Sequence, residues 1–325
     1  MKAIAFTKYG PPDVLKLREV DKPAPKDNEV LVEVHAASVN SWDWELLRGT
    51  PFANRMMFGL LRPRIKTLGC DIAGRVEAVG GNAKKFKPGD QVFGDTSKCG
   101  WGGFAEYVCT PENALSSKPA SMTFEEAAAV PQAGLLALQG LRHKGQIQPG
   151  QRVLINGAGG GAGTFAVQIA KSLGAEVTGV DSTEKLDVIR SVDADHVVDY
   201  TKEDFTKNGQ RYDFILDFAA YHSIFDYKRS LGPKGVYVIV GGSSAAVRQV
   251  LFLGPFISIT SGKRFGLLMH KANKGLDEMT RLLEAGKVKP AVDRVYTLGQ
   301  VPEALHYFGE GHARGKLVVA VEHAT

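Results

Sequence analysis

Three things are scarce in this 325-residue sequence, and each scarcity excludes a class of protein. There are only three cysteines, an odd number that fits a reducing compartment better than a disulfide framework. The formal net charge is only +5 and no basic stretch is concentrated, so nucleic-acid binding is not expected. Long hydrophobic runs are also scarce. The most apolar segment, residues 250–259, is too short to span a bilayer and contains Gly254 and Pro255.

The N-terminal sequence MKAIAFTKYGPP lacks the apolar core of a signal peptide. We therefore expect a cytoplasmic protein without stable membrane insertion. The chain length and the apolar content predict two domains, each with a sizeable core.

A glycine-rich turn is the most informative feature that is present. Residues 152–156 (RVLIN) are typical of a buried strand, and the run TFAVQIAKSL has the apolar spacing of a helix. A second strand, EVTGV, follows and ends at Asp181. The turn between the first strand and the helix consists of Gly157, Ala158, Gly159, Gly160, Gly161, Ala162 and Gly163.

Strand, glycine turn, helix, strand and terminal acid together predict a dinucleotide-binding unit. Glycines let the backbone approach a pyrophosphate, and the N–H groups at a helix N-terminus bind it. The fingerprint fits either Ala158-x-Gly160-x-x-Gly163 or Gly157-x-Gly159-x-x-Ala162, and both place the same loop around the phosphates. The alternative is a glycine-rich turn without a ligand.

The remaining chain predicts two kinds of domain. Short β-rich runs separated by proline and glycine fill residues 1 to about 120 and indicate a compact barrel. Strands alternating with helices after Thr123 indicate a parallel, doubly wound sheet. The last two strands are more like those of the first domain, so we expect the C-terminus to complete that domain.

This arrangement resembles the medium-chain dehydrogenase/reductase superfamily over essentially the whole chain. Within it, the sequence is similar to the zinc-free quinone oxidoreductase branch, through stretches such as AASVNSWDW, LGCDIAGRVEAVG, FKPGDQVFG and GHARGKLVV. The resemblance implies an α/β protein in which a GroES-like, mainly-β barrel domain (residues 1–122, completed by 288–325) accompanies a Rossmann domain (residues 123–287), with the active site in the cleft between them. It also implies NAD(P)H-dependent reduction of a quinone, an enone or a related carbonyl compound.

The resemblance assigns further site residues. Asn40 would line the nicotinamide end of the cleft as the catalytic residue, its amide donating a hydrogen bond to the substrate oxygen; alternatively, it only caps a turn. Tyr200 would lie near the adenosine phosphates, and Gly241 and Gly242 would let the nicotinamide approach. Lys316 would reach into the cleft, although an exposed strand lysine is an equally good interpretation.

The choice of cofactor depends on charge. Asp181 favours the free ribose hydroxyl of NADH, whereas Ser182, Thr183 and Lys185 could hold the additional phosphate of NADPH. Because the carboxylate is directly at the strand end, we expect a modest preference for NADH.

No metal is expected. Zinc-dependent members of the superfamily bind the metal with a cysteine, a histidine and a third cysteine or acid. Asn40 and the pair Cys70-Asp71 occupy these places here, and asparagine is a poor zinc ligand. Cys99 and Cys109 are too far apart for a Cys-x-x-Cys knuckle.

We therefore expect an enzyme that reduces a small, apolar, electron-poor acceptor. A zinc-free alcohol or aldehyde dehydrogenase and a non-catalytic NAD(P)H-sensing protein are the alternatives. Residues 51–68 form an apolar loop that is either a core plug or a lid over the substrate. Residues 250–259 either bury themselves in a homodimer interface or cover the cleft.

Overall fold

A computed structural model describes residues 1–323 of the chain. Its strands are β1 (Lys2–Ala5), β2 (Lys16–Glu19), β3 (Glu29–Val39), β4 (Asp71–Val79), β5 (Gln91–Asp95), β6 (Tyr107–Pro111), β7 (Ser116–Ser117), β8 (Arg152–Asn156), β9 (Glu176–Asp181), β10 (His196–Asp199), β11 (Tyr212–Asp217), β12 (Leu231–Ile239), β13 (Arg264–Leu267), β14 (Val292–Thr297) and β15 (Lys316–Ala320). Its α-helices are α1 (Ser41–Arg48), α2 (Phe52–Phe58), α3 (Phe124–Ala128), α4 (Pro131–Arg142), α5 (Gly161–Ser172), α6 (Leu186–Ser191), α7 (Ile224–Ser230), α8 (Ser244–Ser261), α9 (Leu276–Glu284) and α10 (Val301–Gly309).

The chain divides into two compact units. The first contains Met1–Gln132, Ala272–Thr280 and the residues from Val292 onward, and the second contains Ala133–Lys271 and Arg281–Ala291. Compared with the expected domain boundaries, residues 288–291 are part of the second unit, and residues 123–132 and 272–280 are part of the first. They belong there because α3 packs against β3 and β4, and because the Asn273 side chain exchanges hydrogen bonds of 2.9 and 2.8 Å with the backbone of Asp95.

The first unit is built around a seven-stranded sheet in the order β14-β15-β3-β4-β5-β7, with β6 paired to β3. Strand β15 runs antiparallel to β3, with Leu317 opposite Val39, and β14 runs parallel to β15. The last strands of the chain thus continue the sheet that the first strands begin. Strand β3 supplies fully buried valines to the core at positions 30, 32 and 34, each contributing about 1.5–3 kcal/mol by its burial.

The second unit has a six-stranded parallel sheet in the order β10-β9-β8-β11-β12-β13. Numbered within this unit, the order is 3-2-1-4-5-6, the arrangement of a doubly wound dinucleotide-binding sheet. The strand order reverses between β8 and β11, where ligands bind in such sheets, at the carboxyl ends of the strands. The glycine turn follows β8 and therefore lies at this position.

Two helices lie where the sequence predicted none. Helix α2 occupies part of the predicted loop at residues 51–68, and the apolar segment 250–259 lies inside the 18-residue helix α8. Helix α8 continues through Pro255. The preceding residue, Gly254, is buried, and a Cβ added there would lie 3.2 Å from the Cβ of Phe265. Within residues 1–323, no helix combines the length and the apolar character that a bilayer crossing requires.

Candidate functional site

The glycine turn of the second unit is shaped by steric necessity. Gly157 has a φ of +80°, which side-chain-bearing residues rarely adopt. A Cβ at Gly163 would lie 2.1 Å from the carbonyl oxygen of Gly157, so the first turn of α5 packs directly on the loop. By contrast, a Cβ at Gly160 would meet, among the described atoms, only that same oxygen at 3.5 Å, an ordinary contact. The turn is therefore tight on its inner side and open at Gly160.

Helix α5 begins in the turn, and no N-cap side chain bonds its first N–H groups. Gly160 is its N-cap and has no side chain with which to cap the first N–H groups. These groups and the helix dipole favour a bound anion such as a pyrophosphate. The residues of the turn, from Gly157 through Ala158, Gly159, Gly160, Gly161 and Ala162 to Gly163, thus fit the phosphates of a dinucleotide.

Asp181 lies beside the glycine turn. One carboxylate oxygen accepts a 2.9 Å hydrogen bond from the N–H of Gly159, and the other accepts a 2.9 Å bond from the N–H of Ser182. The N–H of Tyr200 bonds the carbonyl oxygen of Asp181 at 3.1 Å, and a Cβ at Gly159 would lie 2.6 Å from that of Lys185. The structure therefore brings the acid, Ser182, Lys185 and Tyr200 together around the turn.

The residues that could select a 2′-phosphate are partly engaged. The Thr183 hydroxyl donates a short hydrogen bond to the Asp199 carboxylate, and hydroxyl and backbone donors hold the pKa of Asp199 well below its usual range. Thr183 is therefore less available to a phosphate than the sequence suggested, because its hydrogen is already committed to a carboxylate.

A buried network at the strand ends escaped the sequence analysis. Asp217, fully buried at the end of β11, accepts hydrogen bonds from Asn156 at the end of β8 (2.8 Å), from the Tyr237 hydroxyl (3.0 Å) and from the N–H of Ala219 (3.0 Å). Burial raises the pKa of Asp217, and these donors oppose the shift. An acid that ends the apolar run YDFILD was the available signal.

The first unit contains a second buried polar cluster, which includes Asn40 and Lys316. The ammonium of Lys316 donates to the Asn40 side-chain oxygen at 2.6 Å and to the carbonyl oxygen of Val39 at 3.1 Å. Lys316 is only 3% exposed, so the interpretation as an exposed strand lysine is wrong. The ammonium also lies 3.8 Å from Asp71, and burial lowers the pKa of Lys316.

The amide of Asn40 contacts several buried groups of the first unit. Its nitrogen donates to the Asp71 carboxylate at 3.0 Å and lies 3.4 Å from both the Ser38 carbonyl oxygen and the Cys70 sulfur. Both amide hydrogens thus have acceptors within the protein. A substrate oxygen would have to replace one of the two 3.4 Å contacts to receive an amide hydrogen, and the expected donation by Asn40 stays a prediction. Asn40 is also the N-cap of α1, in a capping box with Asp43.

The cluster also contains a set of potential metal ligands. Cys70, Asp71 and Asp95 offer ligand atoms that all lie within 4.8 Å of one another, the one such group found among residues 1–323. The donor set does not fit zinc, because Asp71 already accepts hydrogen bonds from Asn40 and from two other residues, and the Lys316 ammonium lies beside it. Burial also raises the pKa of the Cys70 thiol, which opposes formation of the thiolate that zinc binds.

Comparison with known proteins agrees with both units. Residues 26–120 match the family described as alcohol dehydrogenase GroES-like domain, and residues 192–319 match the family described as zinc-binding dehydrogenase. The chain is 33% identical to NAD(P)H oxidoreductase RTN4IP1, mitochondrial, from Danio rerio, over 99% of this chain and 91% of the relative. It is 33% identical to 2-methylene-furan-3-one reductase from Solanum lycopersicum, over 98% of this chain and 79% of the relative.

A solved structure extends the comparison to the fold. The quinone oxidoreductase from Coxiella burnetii is 30% identical and superimposes with a TM-score of 0.87, over 99% of each chain. Its likeness, the two matched families and the 3-2-1-4-5-6 sheet with its glycine turn confirm the expected fold, a Rossmann unit with a GroES-like, mainly-β unit. The chain belongs to the medium-chain dehydrogenase/reductase superfamily, in its quinone-oxidoreductase-like branch.

Proposed function

We propose that this protein is an NAD(P)H-dependent oxidoreductase that transfers hydride to an electron-poor acceptor of the quinone or enone class. The observation that carries the proposal is the open glycine turn at the N-terminus of α5, where the strand order of the parallel sheet reverses. The named activities of the similar proteins, NAD(P)H oxidoreductase, 2-methylene-furan-3-one reductase and quinone oxidoreductase, support the same class of reaction.

The chemistry comes from the cofactor, which supplies a hydride when it is bound, while a proton from water completes the reduction of the acceptor. The protein supplies binding and orientation. The first N–H groups of α5 and the glycine turn would bind the pyrophosphate. Asp181 and Ser182 would face the ribose, and Gly241 and Gly242, after β12, would lie near the nicotinamide ring, as the family resemblance implies.

The experiment compares two glycine substitutions in the same turn. Gly160→Ala meets no clash within the protein, so the melting temperature should stay within about 2 °C of wild type. If a pyrophosphate lies against this glycine, the new methyl group should raise the dissociation constant of NAD(P)H about tenfold or more. Gly163→Ala is the matched control, because its Cβ would clash with Gly157 and should weaken stability and binding together.

Activity is measured as oxidation of NADH and NADPH in the presence of quinones, alkenals and ketones. Turnover of a quinone or an enone by wild type is the expected result. Wild type that binds the cofactor but reduces no acceptor would contradict the proposed activity. Gly160→Ala with unchanged cofactor affinity would contradict the proposed position of the pyrophosphate.

We further propose that the reaction proceeds without zinc. The support is chemical: an amide and an ammonium surround Asp71, where a metal would need free carboxylate and thiolate donors. Metal analysis of protein purified without chelator should find well under one zinc per chain, and activity should survive dialysis against a chelator. Stoichiometric zinc whose removal abolishes activity would contradict the proposal.

NADH is the proposed preferred cofactor. The Asp181 carboxylate lies at the end of β9 beside the glycine turn, and its negative charge would repel a 2′-phosphate. Asp181→Ser should therefore shift the ratio of kcat/KM for NADH over NADPH by about tenfold towards NADPH. A wild-type enzyme that already favours NADPH by that factor would refute the preference.

We propose a location in the cytoplasm because of the state of the cysteines. All three, Cys70, Cys99 and Cys109, are free thiols, which fits a reducing compartment. Fractionation of cells that express the full chain would test this, and recovery in an organelle would overturn it.

A further inference from the structure

We propose that Asp217 is a positioning residue for the dinucleotide, because its carboxylate fixes residues 218–220 as a wedge between the glycine turn and Gly241–Gly242. The inference rests on the proposed function, since it assigns a role in binding the cofactor. Neither the glycine pattern nor the acid at the end of β9 points to this residue, which lies on a different strand.

The carboxylate of Asp217 joins two neighbouring strand ends. One oxygen accepts the side-chain N–H of Asn156 at 2.8 Å and the backbone N–H of Ala219 at 3.0 Å. Asn156 is the last residue of β8 and directly precedes the glycine turn. Its amide also contacts the carbonyl oxygen of Ala219 at 3.3 Å, so the start of the turn and the wedge are bonded to each other as well as to the acid.

Backbone hydrogen bonds attach the wedge on both sides. The carbonyl oxygen of Asp217 accepts the N–H of Val240 at 2.8 Å, and the N–H of Ala220 donates to the carbonyl oxygen of Gly241 at 3.0 Å. The N–H of Phe218 donates to the carbonyl oxygen of Asn156 at 3.0 Å. The wedge is therefore tied to both strands that flank β11.

The wedge also fills the space that side chains would occupy at both glycine sites. A Cβ at Gly157 would lie 3.2 Å from the Cβ of Phe218, and a Cβ at Gly241 would lie 3.0 Å from the Phe218 carbonyl oxygen. A Cβ at Gly242, which has a φ of +139°, would lie 2.2 Å from the carbonyl oxygen of Ala220. A shift of residues 218–220 towards either glycine site would therefore press on its backbone, because not even a methyl group fits between them without strain.

The carboxylate of Asp217 acts as an acceptor throughout this arrangement. The amide of Asn156, the N–H of Ala219 and the hydroxyl of Tyr237 all donate to it. An asparagine in its place could keep its oxygen on Asn156 and Ala219 and donate its NH₂ to the Tyr237 hydroxyl, which can also accept. An alanine, by contrast, removes the acceptor of all three buried donors, and the wedge or the Asn156 side chain must move to relieve the loss.

The test is Asp217→Ala, with Asp213→Ala as the matched control. Asp213 lies on the same strand but at its opposite end, where its carboxylate accepts the backbone N–H of Arg152 at 2.9 Å. Both variants remove a carboxylate of β11 that binds to β8, and only Asp217 faces the glycine turn. The measurements are the melting temperature, the dissociation constants of NADH and NADPH, and KM for cofactor and for acceptor.

Asp217→Ala should raise the dissociation constant and the KM of the cofactor about tenfold or more, while KM for the acceptor stays within about twofold. Asp213→Ala should leave cofactor binding within about twofold, whatever its effect on the melting temperature. If Asp217→Ala does not fold, Asn156→Ala, which removes only the link between the strand end and the wedge, should show the same selective loss of cofactor affinity.

Cofactor affinity within about twofold of wild type in Asp217→Ala, or in Asn156→Ala, would overturn the proposal. Equal losses in Asp217→Ala and Asp213→Ala would also overturn it, because they would indicate a general loosening of the sheet. Failure of the proposed function is recognised separately: wild type that binds NAD(P)H without reducing any acceptor refutes the activity, and the positioning role is still decided by the dissociation constants. Wild type that binds neither nucleotide overturns both.

Discussion

At the scale of single residues, Asn40 matters as the link between a buried cation and a buried acid. Its side-chain oxygen accepts a hydrogen bond from Lys316, and its side-chain nitrogen donates one to Asp71. Asn40→Ala therefore leaves the Lys316 ammonium and the Asp71 carboxylate buried without this hydrogen-bond partner. We expect turnover with a preferred enone to fall about tenfold, while the dissociation constant of the cofactor stays within about twofold. Steady-state kinetics and fluorescence titration check this. Ser38→Ala, which removes a weaker 3.2 Å donor to Asp71, is the control and should have a smaller effect. Unchanged turnover in Asn40→Ala would remove Asn40 from the mechanism.

Asp43 predicts a dependence of stability on pH. Its carboxylate is fully buried and accepts the N–H groups of Asn40 and Gly69 at 2.9 and 2.8 Å, and burial raises its pKa from 3.8 to about 7. At a pH between the unfolded and the folded pKa, the Asp43 carboxyl keeps its proton in the folded protein and loses it in the unfolded chain. The stabilisation from this group is therefore fully present below its unfolded pKa and falls as pH rises towards 7, by about 1.4 kcal/mol per pH unit for one whole proton.

Asp43→Asn removes this titration, so the free energy of unfolding should fall less steeply between acidic and neutral pH than in wild type. Denaturant unfolding at a series of pH values measures both slopes. The amide also loses one of two acceptor oxygens, so the variant should be less stable at acidic pH. Asp21→Asn, at an exposed position, is the control and should keep the wild-type slope. A parallel pair of curves for wild type and Asp43→Asn would contradict the prediction.

At the scale of elements, the sequence predicted the parts whose apolar periodicity matches their burial. Strands β8 and β9 and helix α5 are such elements, and the glycine turn between β8 and α5 follows from local chain geometry. Helix α8 was missed because large apolar side chains point into solvent, so that no amphipathic stripe marks it, and because Pro255 lies within it. The bond between Asn156 and Asp217 spans 61 residues, and no local pattern indicates a contact that only the folded sheet creates.

Most of helix α2 is exposed and is not a core plug, whereas Phe58 at its end and Ile65 after it pack against the core and Leu68 is buried within it. Met56, Met57 and Leu61 are 70%, 61% and 87% exposed. The remaining interpretation is a lid that contacts an apolar acceptor. Met57→Ser combined with Leu61→Ser should raise KM for a quinone with a long alkyl chain about fivefold, with little change for unsubstituted benzoquinone, because only the former needs apolar contact. Leu17→Ser, at an exposed position on β2, is the control and should change neither KM. Equal KM values for the long-chain quinone in wild type and the double variant would refute the lid.

At the scale of the whole molecule, the exposed apolar surface of α8 predicts self-association. Phe252, Phe256 and Ile259 are 78%, 67% and 85% exposed, and side chains on one helix form a larger apolar patch than isolated surface residues do. The formal net charge of +5 is small for 325 residues and offers little repulsion between copies. We therefore expect wild type to form a homodimer, with α8 contributing to its interface.

Phe256→Glu combined with Ile259→Glu should convert the dimer to a monomer, because association would bury two carboxylates of each copy without partners. Light scattering coupled to size-exclusion chromatography, over a range of protein concentrations, measures the mass directly. The monomer should keep the melting temperature within about 2 °C if the folded chain is stable alone, and a larger loss would mean that association itself stabilises the fold. Leu173→Glu places one glutamate at an exposed leucine outside α8 and should leave the dimer intact. Wild type that stays monomeric at high concentration, or a dimer that survives both glutamates, would show that α8 does not join two copies.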